Sequence, residues 1–226
     1  MNTSVIEKSK RVILNEDNKV FYITKKIERP KGKELYLFFK RVFDILFSII
    51  ASVFMLIPCL VIAVAIKCDS KGPVLYRQER VGHNGKRFLL YKFRSMRVDA
   101  ESEGAKWASN NDDRCTRVGR VLRKFRLDEL PQLPFNVLPG SLSIVGPRPE
   151  RQYFYDEFAT YIDGFDQRLY VKPGLTGFAQ VNGGYDLKPQ EKIVFDLEYI
   201  EKMSFGFDLK ILLKTVLVVF SNEGAR

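Results

Sequence analysis

The sequence predicts an α+β fold: a small β-sheet with a hairpin, packed with helices and joined to a bilayer by one kinked, re-entrant helix and by interfacial amphipathic helices. Two stretches carry that expectation. Val42 to Ile66 is apolar apart from Asp44, Ser48, Ser52 and Pro58, longer than the ~20 residues a helix needs to cross hydrocarbon. Asp69 to Met96 reads as Gly-Pro, an alternating strand pattern, the turn Gly82-His-Asn-Gly85 and another strand, the pattern of a β-hairpin. The chain divides accordingly into a polar extension over 1–34, a membrane-inserted segment over 35–68 and a basic body over 69–226 that closes on an interfacial helix.

Taken in order, residues 1–34 are polar and charged apart from Val20 to Ile23, which suits a short strand, and they do not read as a cleavable signal peptide. In the apolar run, Pro58 removes a backbone hydrogen bond and kinks the helix. Lys40 and Arg41 precede the run and Lys67 closes it. Cations favour the cytoplasmic side, so both flanks belong there and the helix enters and leaves the same leaflet. Asp44, at this basic mouth, is expected to be tied down by Arg41 or Lys67.

The second hairpin strand is expected to place Lys92 and Arg94 on one face, since side chains two apart point the same way. His83, beside the turn, reads as exposed and structural. Residues 99–113 form a polar loop. A helix is expected over about 118–125, and Pro131 and Pro134 turn the chain after it. A second helix follows over 150–162, then a glycine-punctuated strand–turn region over 167–184 whose backbone can approach a ligand closely. A third helix, around 192–201, carries Asp196. Residues 168–182 are expected to join the hairpin in the sheet. Phe207 to Phe220 is apolar except at Lys210 and Lys214; too short to span, it suits the membrane interface with its lysines toward headgroups.

Composition narrows the partners. Thirty-seven Lys and Arg against 27 Asp and Glu leave a net charge of +10, which points to an anionic partner. The single histidine, His83, excludes a multi-histidine metal centre. Cys59, Cys68 and Cys115 are odd in number and form no CxxC pair, so reduced thiols in a cytosolic setting are expected.

The chemistry concentrates between Arg114 and Pro149. Cations at Arg114, Arg117, Arg120, Arg123, Lys124 and Arg126 lead into the adjacent carboxylates Asp128 and Glu129, and Arg148 follows in a Gly-Pro-Arg-Pro turn. Arginines grip phosphate oxygens bidentately, while a carboxylate pair can hold a divalent cation or attack phosphorus. The plainer reading is a solvated basic face whose acids pair with Arg123 or Arg126. A nucleic-acid-binding role for 114–126 is disfavoured by the membrane segment and the lack of a recognition module. A silent membrane scaffold is disfavoured by the intact Asp128, Glu129 and Arg148. An aspartyl-phosphate phosphatase or ATPase would show an Asp-x-Asp or Asp-Lys-Thr-Gly context, which does not occur.

Lys40-Arg41-x-Phe-Asp44 before the apolar run, Gln78-Glu-Arg-Val-Gly82, Lys92-Phe-Arg-Ser-Met96, Leu127-Asp-Glu-Leu-Pro-Gln-Leu133, Val145-Gly-Pro-Arg-Pro149, Lys172-Pro-Gly-Leu-Thr-Gly177 and Phe207-Asp-Leu-Lys210 stand in this order. Over roughly residues 35–220 the chain therefore resembles the bacterial sugar transferases, the monotopic phosphoglycosyl transferases that start capsule, exopolysaccharide and glycoconjugate synthesis. The resemblance implies transfer of a sugar-1-phosphate from a UDP-sugar to a polyprenyl (undecaprenyl) phosphate at the cytoplasmic face of the membrane, releasing UMP. It implies Asp128 as nucleophile, Glu129 as its partner, and both as ligands of Mg²⁺. Lys92, Arg123, Arg148 and Asp196 fall at family active-site positions, and Arg94 joins them as a phosphate-oxygen ligand. Membrane lipid is an implied partner, nucleic acid is not, and a homo-oligomer is left open.

Two positions depart from the family pattern. Ile57 stands before Pro58 where many members have Ser, and Gly184 follows Gly183 where many have Arg. The missing cation would be supplied elsewhere, with Arg168 and Lys188 as candidates. Neither the sugar moved nor the glycan it enters is legible.

Overall fold

A computed structural model describes residues 11–14, 20–102, 112–183 and 187–221. Gly184 lies outside them. The described strands form three separate small sheets rather than the single expected one. β1 (Arg11–Leu14) pairs antiparallel with β2 (Val20–Ile23), which pairs parallel with β6 (Ile162–Asp163). The hairpin forms as expected, β3 (Leu75–Val81) against β4 (Arg87–Phe93) with Leu75 opposite Phe93 and Val81 opposite Arg87. Asn84 and Gly85 take the positive φ values of 55° and 76° that close its turn. Residues 174–176 do not join it. They form β7 (Gly174–Thr176), parallel to β5 (Ser143–Val145).

The glycines of this region serve the backbone rather than a ligand. A Cβ on Gly174 would sit 2.1 Å from the Gly146 nitrogen, and one on Gly146 would sit 2.5 Å from the Lys172 carbonyl oxygen. Only glycine lets the two segments cross this closely. The crossing is sealed by hydrogen bonds from Gly146 N to Thr176 O and from Gly174 N to Pro147 O, both 2.9 Å.

The apolar run is two helices, α1 (Glu34–Phe54) and α2 (Leu56–Asp69), bent by 61° at Met55. Among the described residues no single helix is long and apolar enough to cross a membrane, while this bent pair passes that test together. The break follows from Pro58. Its ring would clash with the carbonyl four residues back, that of Phe54, which is the last residue of α1. Pro58 then stands in the first turn of α2, where a missing N–H costs nothing. Leu46, Ile50, Val53 and Phe54 on α1, and Ile57, Leu60, Val61 and Val64 on α2, are exposed.

One stripe of α1 is polar and faces the body. Arg41 donates to the carbonyls of Val137 and Leu138, both at 2.7 Å. Asp44 accepts from Ile144 N at 3.1 Å, and Ser48 donates to Leu133 O at 2.6 Å. Spacings of three and four put these side chains on one helical face. Asp44 is thus held by a backbone amide with Lys40 and Arg41 nearby, and Lys67 has no part in it, since the bend carries α2 away.

Three helices appear close to their expected bounds: α3 (Arg117–Lys124), α4 (Gln152–Ala159) and α5 (Pro189–Lys202). α4 and α5 pack on a core that includes Val137, Leu142, Ile144, Ile193, Tyr199 and Ile200, while Val118 and Leu122 of α3 pack in a separate cluster with Ile66 and Phe93. The last helix, α6 (Phe205–Ser221), begins beside the start of α1. Phe205 meets the rings of Tyr36 and Phe39, and Asp208 takes both Lys40 and the Tyr36 hydroxyl. It is anchored on the body by Ile211, which is fully buried, and it exposes Leu209, Leu213, Val216 and Leu217. Lys210 is exposed, but Lys214 turns inward to the side-chain oxygen of Asn182, at 3.3 Å.

α3 is seated against the end of the hairpin. Thr116 caps it by accepting from Gly119 N at 3.0 Å, and Asp69, at the end of α2, accepts from Val118 N at 3.0 Å. A Cβ on Gly119 would fall 1.9 Å from the Ser95 carbonyl oxygen, with backbone on both sides of the contact. Gly119→Ala is therefore expected to destabilise the protein by about 3 kcal/mol or more. Thermal unfolding in detergent against the native chain checks this.

Candidate active site

α3 stops at Phe125 because Arg126 adopts a left-handed conformation, φ 57°. That reversal turns the chain into a short 3-10 turn, Leu127–Glu129, which carries both acids. The turn is fixed from both sides. Leu127 and Leu130 pack with Ile66, Cys59 and Ile62 of α2, and with Phe93 and Leu122. Just beyond it, Asn136 accepts from Tyr91 N at 2.9 Å and donates to Leu89 O at 2.7 Å, fastening residues 133–137 to β4. The acidic turn therefore sits where the bent helix pair meets the hairpin.

The two acids are in different electrostatic states. Glu129 Oε1 takes Arg148 Nη2 at 2.6 Å and Lys92 Nζ at 3.0 Å. Burial disfavours its charge, but Arg148 and Lys92 outweigh burial and hold the carboxyl well below the usual range. Asp128, 8% exposed, accepts no hydrogen bond among the described residues. Burial pushes its carboxyl up, reinforced by Glu129 and opposed by Lys92, Arg123 and Arg148. One acid is thus locked and ionised. Its neighbour is less tightly held, surrounded by three cations and open to a cavity.

That cavity has a volume of about 400 Å³. Lys92, Arg123, Asp128 and Arg148 line it together with Arg80, Glu150 and Lys192. At its far wall Glu101 accepts from Tyr76 at 3.2 Å, from Gln78 at 3.3 Å and from Arg151 at 3.1 Å. Four of the expected residues, Lys92, Arg123, Asp128 and Arg148, are therefore brought together, with Glu129 bound directly behind them. Arg123 also reaches the Cys115 sulfur, its Nη1 donating at 2.9 Å.

Two further expected residues are committed to other partners. Arg94 borders the cavity but lies one residue past the end of β4, and its donors go to the loop after α2: Pro73 O at 2.6 Å, Ser70 O at 2.9 Å, Ser70 Oγ at 2.8 Å and Lys71 O at 3.0 Å. Asp196 is 1% exposed and pairs with the buried Arg168 at 2.6 Å. Neither Asp196 nor Arg168 lines the cavity. Arg80, Glu150 and Lys192 were not singled out from sequence. Their signals were weak: Arg80 alternates with Gln78 on one strand, and Lys192 precedes Asp196 by one helical turn.

Magnesium was expected at Asp128 and Glu129. Among the described residues no cluster of three or more His, Cys, Asp or Glu could hold a metal by itself. Among the described residues, Glu129 meets its two cations through Oε1, which leaves Oε2 and both Asp128 oxygens open there. Two carboxylates with places left for phosphate oxygens and water suit Mg²⁺, which takes few protein ligands.

The acidity of the site carries a testable consequence. The nucleophilic role that the sequence suggests for Asp128 requires its ionised form, and its carboxyl is raised above the ordinary value of 3.8. Activity should therefore fall on acidification through a pH above that value, while Glu129, held low, stays charged. A pH profile of kcat with one acid limb, absent from thermal stability measured over the same range, checks this.

Comparison with known proteins places the whole arrangement. The chain is 44% identical over 195 residues to the UDP-N-acetylgalactosamine-undecaprenyl-phosphate N-acetylgalactosaminephosphotransferase of Aeromonas hydrophila, covering 85% of this chain and 46% of that one. It is 39% identical over 216 residues to the undecaprenyl-phosphate galactose phosphotransferase of Salmonella typhimurium, 88% of this chain and 44% of that one. It is 39% identical over 191 residues to the UDP-glucose:undecaprenyl-phosphate glucose-1-phosphate transferase of Caulobacter vibrioides, 82% of this chain and 71% of that one. The chain thus spans less than half of the first two relatives. Residues 35–222, which include the bent helix pair, the hairpin, the acidic turn and its cations, match the family described as "Bacterial sugar transferase", and to that family the chain belongs.

Proposed function

We propose that the protein transfers a sugar-1-phosphate from a UDP-sugar to a polyprenyl phosphate at the cytoplasmic face of a membrane. The observation that carries this reading is the contrast between the two acids. Asp128 accepts no hydrogen bond among the described residues and lines a cation-rich cavity, whereas Glu129 is immobilised by Lys92 and Arg148.

Two displacements account for the products. An Asp128 carboxylate oxygen attacks the β-phosphorus of the donor; the bond to the bridging oxygen breaks, and UMP leaves with the electron pair. A phosphate oxygen of the polyprenyl phosphate then attacks the same phosphorus, forming the sugar diphospholipid and returning Asp128 as a carboxylate. Lys92, Arg123 and Arg148 face the charge that develops on the diphosphate. Glu129 keeps Lys92 and Arg148 oriented. Mg²⁺, held by Asp128 and the free Glu129 oxygen, would neutralise diphosphate charge.

A membrane location rests on the exposed apolar faces of α1, α2 and α6. The bend at Met55 and the cations at Lys40, Arg41 and Lys67 suit a re-entrant helix inserted from the cytoplasmic side. A lipid acceptor would then arrive from the bilayer beside the turn that carries Asp128, and the nucleotide sugar from the cytosol.

The test is UMP release by the detergent-purified protein with Mg²⁺, a polyprenyl phosphate and a panel of UDP-sugars. Release with at least one donor, dependent on the lipid phosphate, is expected. Multiple-turnover release, beyond one UMP per protein, that ignores the lipid phosphate would contradict the transfer.

A further inference from the structure

Behind the cavity wall lies a group of buried charges that neither displacement uses directly. Arg168, in the 3-10 turn Phe165–Tyr170, and Asp196, on α5, are 3% and 1% exposed and pair at 2.6 Å. Arg168 Nη2 also donates to the carbonyl of Arg148 at 2.9 Å. Its Nε and Nη1 meet no acceptor among the described residues, and the guanidinium lies over the Phe165 ring, 4.9 Å from its centre. On the next carbonyl of the same turn, Arg80 Nη1 donates to Pro149 O at 3.0 Å while also reaching Glu150 Oε2 at 3.3 Å. Two guanidinium groups therefore grip consecutive carbonyls of the segment that presents Arg148 to Glu129.

This arrangement is a poor way to gain stability. Burial pushes the Asp196 carboxyl up to about 6 despite Arg168 and Lys192, with Glu150 adding to the rise. Pairs of buried charges are commonly replaceable by apolar residues at little or no cost in stability. What apolar residues cannot supply is a donor aimed at the Arg148 carbonyl.

We propose that Arg168 and Asp196 form a positioning pair: Asp196 fixes the Arg168 guanidinium, Arg168 holds the backbone of Arg148, and Arg148 thereby reaches Glu129. The proposal rests on the transferase reading for its catalytic consequence. Neither member of the pair lines the cavity that holds Asp128, so this role differs from the sugar- or phosphate-facing cation that the sequence suggested for Arg168.

Arg168→Met alone would strand a buried carboxylate and can fail to fold. The decisive variant is therefore Arg168→Met/Asp196→Leu, which removes both charges together. It is expected to keep the native melting temperature within a few degrees and to lower kcat about 10²-fold, the effect of a displacement of roughly 1 Å at a catalytic group. KM for the UDP-sugar should change less than about threefold. When the same pair of substitutions is added to Arg148→Met, kcat should fall no further, because Arg168 acts only through Arg148. Amide hydrogen exchange at Gly146, Arg148 and Glu150, the residues of 146–150 that carry an N–H, should accelerate in the double variant and nowhere else in the core, a readout that needs no turnover.

Unchanged exchange over 146–150 would overturn the proposal. So would a full additional loss of kcat on top of Arg148→Met, or a KM raised about 100-fold at unchanged kcat, which would make Arg168 a substrate ligand. An inactive native protein would overturn the transferase reading instead, and the exchange result would still decide this one.

Discussion

Asp128→Asn is expected to lower kcat by at least about 10⁴-fold, the scale on which removing a nucleophile that forms a covalent intermediate is felt. The amide keeps the shape of the carboxyl but cannot attack phosphorus. Misfolding would not explain the loss. Burial already disfavours the Asp128 charge, so a neutral side chain of the same size relieves a cost, and the melting temperature should hold or rise. Residual UMP release within about tenfold of native would move the nucleophile elsewhere, and Glu129 would be a weak substitute. Its carboxyl is committed to Lys92 and Arg148 through one oxygen.

Arg148→Met should lower kcat by about 10²–10³-fold, comparable to removing one donor that meets charge in the transition state. The side chain has two duties in the structure. It lines the cavity, and it grips Glu129 at 2.6 Å. Among the described residues, removing it leaves Lys92 alone to pair with a buried carboxylate, so the Glu129 carboxyl should rise toward the ordinary range. Arg148→Lys should recover only part of the loss, because an ammonium lacks the planar fork. Steady-state kinetics on both variants separate the duties: loss of orientation appears in kcat, and loss of donor binding in KM.

How much of this was legible in the sequence depended on whether the signal was local. The hairpin was readable because alternation and a Gly-x-x-Gly turn lie within one short window, and α3 because its apolar positions repeat at helical spacing. Asp128, Glu129, Lys92, Arg123 and Arg148 were recognisable through motifs in a fixed order. The pairing of β5 with β7 was not. Three-residue strands carry no measurable period, and parallel partners come from distant parts of the chain. Asp44 was expected beside Arg41, which does favour its charge, but the amide of Ile144 that bonds it was not foreseen, because backbone donors leave no mark on a sequence. Arg94 looked like Lys92 by the two-residue rule, but the strand ends at Phe93, and past that point the rule has no force. Gly174, in the region that read as open to a ligand, instead has its room filled by the backbone of Gly146.

The central claim is that the reaction passes through a phosphosugar ester on Asp128. Its most direct test is to incubate the purified protein with Mg²⁺ and the UDP-sugar that supports turnover, omit the polyprenyl phosphate, quench in acid and measure the intact mass and the peptide masses. One sugar-phosphate should be added to the peptide that contains Asp128, with UMP released in equal amount, and the adduct should disappear on addition of polyprenyl phosphate and be absent in Asp128→Asn. An adduct on another residue, or turnover with lipid phosphate at native rates and no adduct under any quench, would contradict it.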